Sequence, residues 1–271
     1  MCLALIAWNV VPGHRLILAS NRDEFHWRRT EPLHQWNDSP IVAGRDCAGG
    51  GTWVGTTATG SVGLVTNVRN GLPLPSKSRR DAPDRSRGLL ISDYLESPES
   101  ATSFARQLEE SATRYAPFNL MVGDGEELVW VSNYRQFTAQ SLAPGFYGLS
   151  NAELDSDWPK VQRGKAEFQR HLELNPPGGG PAWESAMFNI LGNQLRPDDE
   201  ELPYTHVPRQ IERMVSPRFV QAGVYGTRAS TLVDIPDNGF PRIVERRFGL
   251  FGRRLGNDVA ISADPGRATK S

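Results

Sequence analysis

The sequence predicts an α+β fold, a four-layer αββα sandwich of two mainly antiparallel sheets enclosed by helices. Three observations predict it. Turn residues, not helical crossovers, join neighbouring apolar runs, so adjacent strands pair antiparallel. The periodicity changes along the chain in the order strands, helices, strands, helices, strands. Two sheets packed between helix layers bury such elements economically. With no repeat, low-complexity tract or clear linker, one domain is expected over residues 1–255, followed by a disordered polar tail, 256–271.

Residues 2–9 and 14–20 are apolar runs separated by "VVPGH", where Pro12 and Gly13 supply a hairpin turn. "GGGTWVGTTATGSVGLVTNVRN" reads as a second hairpin, its Thr, Val and Trp favouring strands and "ATGS" the turn. From Ser86 the spacing of apolar residues becomes three and four. "SRGLLISDYLES" and "SPESATSFARQLEESATRY" therefore predict two helices with serines capping their starts. Strands resume over 118–149, and helices return near 158–174, 182–195 and 207–215. "NPPGGGP" separates the first two of these. "GVYGTRASTLVDI" and "PRIVERRFG" supply the last strands.

The chain has 271 residues, 38% hydrophobic and 23% charged, with a formal net charge of -1. Near-neutrality gives no electrostatic reason to expect nucleic acid or an anionic membrane as a partner. The interleaved acids of "SKSRRDAPDRSR" mark a solvated loop, not a basic patch. The longest apolar runs are too short for stable membrane insertion, and no secretory signal is visible. Two cysteines, Cys2 and Cys47, argue against a disulfide framework and for a reducing, cytoplasmic setting. The five histidines lack metal-ligand spacing, so no metal site is expected. Nothing in the composition sets an oligomeric state.

Cys2 follows the initiator methionine directly. Removal of Met1 would join a thiol nucleophile to an α-amine of pKa about 7.7–8.0, a base suited to neutral pH. A small buried residue at a strand start is the competing reading. "RLILASNRDEF" then interrupts an apolar strand with Asn21, Arg22, Asp23 and Glu24. A hairpin would return these residues to Cys2, where Asp23 would hold the α-ammonium and Arg22 would lower the thiol pKa or bind a carboxylate. In "AGRDCAGGGTWVG" the glycines suggest a close backbone approach, with Trp53 as a flat wall and Arg45 as an anion contact. A tight loop feeding a strand fits equally.

"MC" at the start, "SNRDE", "AGRDCAGGGTWVGTTATGSVGLVTNVRN", "SRG", "FNLMVGD", "GLSN" and "YGTRASTL" together resemble the NRDE family, also called the transport and Golgi organisation protein 2 family. The resemblance runs from Cys2 to about Phe248 and implies a fold related to the N-terminal nucleophile (Ntn) hydrolases. Bile salt hydrolases and penicillin V acylases also begin Met-Cys, and the likeness extends to Asp23. It implies an oxyanion role for Asn67 and catalytic work for Asn151. In this sequence Ser20 stands where those enzymes carry a strand-end arginine, with Arg22 two positions on, and Arg228 only approximates their late arginine.

Two functions follow from the resemblance. The first is binding and trafficking of haem, or a similar amphipathic acyl compound, as cargo, with no cofactor required. Asn21, Arg22, Arg45, Trp53, Arg69 and Arg228 would line that site. The alternative is an N-terminal cysteine amidohydrolase acting on non-peptide carbon–nitrogen bonds through Cys2, Asp23, Asn67 and Asn151.

Overall fold

The computed structural model describes residues 2–37, 39–71, 83–175, 177–178 and 180–264. Residues 72–82, which hold most of the basic loop predicted as solvated, lie outside that set. Five helices and fourteen strands are seen among the described residues.

The first sheet contains β1 (Cys2–Val11), β2 (His14–Phe25), β10 (Gly145–Leu149), β11 (Gln221–Ala222), β12 (Tyr225–Pro236), β13 (Arg242–Arg247) and β14 (Val259–Ser262). Its strand order is β10-β1-β2-β12-β13-β14, with β11 paired to β12. The second sheet runs in sequence order through β3 (Thr30–Gln35), β4 (Val42–Asp46), β5 (Val54–Thr56), β6 (Val62–Asn67), β7 (Phe118–Gly123), β8 (Leu128–Ser132) and β9 (Thr138–Ser141). Every pairing is antiparallel. That is the arrangement expected when short turns, not crossover helices, join the strands.

Alternation along β1 and β2 creates the layers. Ala4, Ile6, Trp8, Leu16 and Leu18 face the second sheet and meet Val54, Leu64, Met121 and Trp130 in one core. Leu3, Leu5, Ala7, Ile17 and Ala19 point the other way, onto α3 (Pro159–Leu174) and α4 (Pro181–Leu191). The outer face of the second sheet packs on α1 (Gly88–Glu96) and α2 (Ala101–Ser111) through Ile91, Tyr94, Leu108, Phe118 and Val131. Helix, sheet, sheet, helix is the predicted order of layers. The last helix, α5 (Arg209–Val215), lies just before β11.

Several local expectations change. β2 does not end at Ser20 but continues to Phe25, because β12 pairs with it along its whole length and the polar side chains of Asn21, Arg22 and Asp23 find internal partners. Ser100 caps α2 by accepting from the Ser103 N–H, whereas Arg87 occupies the cap position of α1 and makes no side-chain cap bond. The polar tail expected to be disordered from Gly256 instead supplies β14, whose Val259 and Ile261 pack against the inter-sheet core. A free edge on β13 gives even a short polar segment backbone partners. Residues 265–271 lie outside the described set.

Candidate functional site

The hairpin register sets Cys2 opposite Arg22 at the open end of the first sheet. Cys2 lines a cleft of about 480 Å³ with Asp23, Trp53 and Asn67. The glycine loop explains one wall. A Cβ at Gly51 would overlap the Gly88 carbonyl, so the triple glycine lets the start of α1 press onto the loop. Ser86, Arg87 and Gly88 thereby reach the cleft edge.

The backbone nitrogen of Cys2 donates to Asn151 Oδ1 at 3.3 Å. This nitrogen becomes the α-amine if Met1 is removed. Asn151 is fully buried, and its Nδ2 donates to the Asn67 carbonyl at 2.7 Å. The side chain therefore ties the start of β1 to the end of β6. One N–H of Asn151 is thereby committed to a backbone carbonyl, and its carbonyl oxygen holds the Cys2 nitrogen. The Asn67 side chain lines the cleft and has no polar partner among the described residues, so it is the available amide donor.

Asp23 is 3% exposed and accepts from Thr227 Oγ1 at 2.7 Å. Burial pushes its carboxyl above the usual range, against Lys160 and Arg22, which favour the charged form. Burial likewise pushes the Cys2 thiol up, with Asp23 adding to the rise and Arg22 opposing it. Arg22 stacks on the Trp53 ring at 4.5 Å and pairs with Asp46 at 3.1 Å. Its Nη1 is buried without a partner.

Arg28 and Asp46 are cleft residues that sequence reasoning missed. Arg28 pairs with the same Asp46 at 2.7 Å. Arg87, inside the quoted "SRG", was not singled out either. It lines the cleft, donates to the Pro117 carbonyl, and has no ion-pair partner among the described residues. A cation one residue before a helix was its only sequence signal.

Four other predicted ligand contacts fall elsewhere. Asn21 points to the helix side, donating to the Leu191 and Arg218 carbonyls and accepting from Ser230. Arg45 stacks on Trp36 at 4.1 Å, outside the cleft lining. Arg69 stacks on Trp158 at 4.4 Å and pairs with Glu212 at 2.9 Å, bordering a separate recess. Arg228 clamps the β2–β3 turn through the Phe25 and Arg28 carbonyls. Strand alternation and competing internal partners divert these polar groups from the cleft.

Two sheets between helix layers, with Cys2 at the open end of an inner strand, define an Ntn-hydrolase-like fold. The fold is similar to that of conjugated bile acid hydrolase from Clostridium perfringens, solved as a C2A mutant. The TM-score is 0.54 at 8% identity, over 97% of this chain and 92% of that one. It is also similar to penicillin V acylase from Agrobacterium tumefaciens, with TM-score 0.50 and 12% identity over 96% and 86% of the two chains. The sequence model of the family described as "Transport and Golgi organisation 2" matches residues 1–249, and the chain belongs to that family. Relatives include the Transport and Golgi organization 2 homolog of Mus musculus, 30% identical over 91% of this chain and 92% of the relative. The Drosophila melanogaster Transport and Golgi organization protein 2 is 28% identical over 93% of each chain. Among the described residues, no helix is long and apolar enough to cross a membrane.

Proposed function

We propose that the Cys2 cleft binds an amphipathic molecule with an anionic end, and that the chain, once Met1 is removed, acts on it as an N-terminal cysteine amidohydrolase. The carrying observation is the bond between the Cys2 nitrogen and Asn151, which fixes amine and thiol together at the cleft edge. Arg22, with one buried N–H group unmatched, and Arg87 provide donors for the anionic end.

In this reading Sγ attacks the amide carbonyl carbon as the α-amine takes the thiol proton. The Asn67 amide donates to the developing oxyanion, a contact worth about 3 kcal/mol. Collapse of the adduct breaks the C–N bond, and the α-ammonium returns the proton to the leaving amine. Water then hydrolyses the thioester.

Carriage of haem or an acyl compound without turnover is the second reading. The raised pKa of the buried thiol favours it, since a resting thiol is a poor nucleophile. For haem in particular, the described residues of the cleft wall are rich in charged side chains and include no histidine. This lowers haem from first to second place.

One experiment separates the readings. Intact mass establishes the mature N-terminus. Native protein and C2A are then incubated with N-acyl amino acids, and haemin is titrated while the Soret band is followed. Hydrolysis by the native protein alone supports the enzyme. A Soret shift of equal affinity in both proteins, with no hydrolysis, supports the carrier. Retention of Met1 sinks the amidohydrolase.

A further inference from the structure

Lys160 contradicts three placement rules at once. It is the second residue of α3, where the helix dipole disfavours a cation, and the first turn of α3 carries no acid. It is 6% exposed, although lysine is seldom buried without a paired carboxylate. It also shares its surroundings with a second buried cation, Arg69. The ammonium donates to the Val215 carbonyl at 3.2 Å and lies 6.0 Å from the Trp158 ring. No carboxylate of the described residues comes within ion-pair range. Placements this unfavourable persist where function requires them.

The groups facing the ammonium point to its task. They are Cys2 on β1, Asp23 on β2, Arg69 just after β6 and Glu212 on α5. Glu212 already serves Arg69 and Thr205. Burial, followed by the charge of Arg69, lowers Lys160 to about 8, which leaves it mostly cationic at neutral pH. Lys160 does not line the cleft. It borders a separate recess of about 200 Å³ with Arg163, Asn193 and Arg218. It therefore acts on the cleft only through neighbouring groups.

We propose that Lys160 is a positioning residue for the Cys2 centre: a buried cation behind the cleft whose charge favours the Cys2 thiolate over the thiol. After methionine removal, the same charge disfavours protonation of the α-amine, so that amine stays able to accept the thiol proton. The inference rests on Cys2 as the reactive atom and on no particular substrate.

The test measures thiol reactivity, not turnover. In a C47S background, where Cys2 is the sole cysteine, the rate of alkylation by iodoacetamide is followed by mass against pH. Replacing Lys160 by Gln should move the midpoint upward by about one pH unit, roughly a tenfold slower reaction at neutral pH. Lys160→Arg, which keeps the charge, should retain the parent midpoint. An unchanged midpoint in folded K160Q overturns the proposal, as does a Cys2 that alkylates at no pH. If K160Q does not fold, K160M takes its place with the same expected shift. Should neither fold, Lys160 is a structural residue and the proposal fails. Finding no substrate would leave this result intact. Finding one while the midpoint stays put would sink this proposal alone.

Discussion

Asn151 shows how much one side chain can decide. It spends both ends of its amide holding two chain segments, the Cys2 nitrogen and the Asn67 carbonyl, in one buried spot. Asn151→Ala leaves both groups underbonded and should lower unfolding free energy by about 1–3 kcal/mol, read from urea melts. Under the proposed hydrolysis, it should also depress turnover beyond that loss of stability. Asp46 makes a prediction with a sign. Burial raises its carboxyl, but the Arg28 hydrogen bond and the Arg22 charge outweigh burial and hold it below the usual range. A depressed carboxyl contributes stability above its unfolded pKa of about 3.9 and loses it as pH falls through the folded value. The native Tm should therefore drop more steeply than that of D46N below about pH 4.5. Parallel curves would show that the Asp46 cluster contributes nothing.

The junction of the glycine loop with α1 is the element on which the cleft wall depends. Gly51→Ala would force the loop away from Gly88, at a cost of about 1–3 kcal/mol or more. Arg87 would shift with it, so anionic ligands should weaken more than neutral ones of similar size. By contrast, Ser100→Ala removes only the α2 cap. It should cost about 1 kcal/mol and leave ligand affinity unchanged, as paired thermal melts and binding titrations would show.

Across the whole molecule, the first sheet carries Cys2 at one place and is closed at its far edge by β14. Deleting residues 257–271 would bare β13 and strip Val259 and Ile261 from the inter-sheet core. The truncated chain should lose several degrees of Tm, about 4 °C or more, and show concentration-dependent association through the exposed strand. A truncated protein with an unchanged melt would reduce β14 to an ornament of the edge.

Local chemistry alone determined the hairpins, most helix spans and the four-layer order, because turn residues and apolar spacing act over neighbouring positions. "VVPGH" and the alternation of Leu3, Ala4, Leu5 and Ile6 suffice for that. The motif order was equally legible and pointed to the family, as well as to Cys2, Asp23, Asn67 and Asn151 as companions. Which way each polar side chain turned was not legible. Asn21 and Arg22 are adjacent in sequence, yet strand alternation sends one to the helix layer and the other to the cleft. Arg69 and Arg228 found partners contributed by distant segments, and Lys160 took its place only when α3 packed against β1 and β10. Tertiary structure decided these roles because a buried charge or amide takes whichever partner packing brings within reach, and those partners lie far away along the chain.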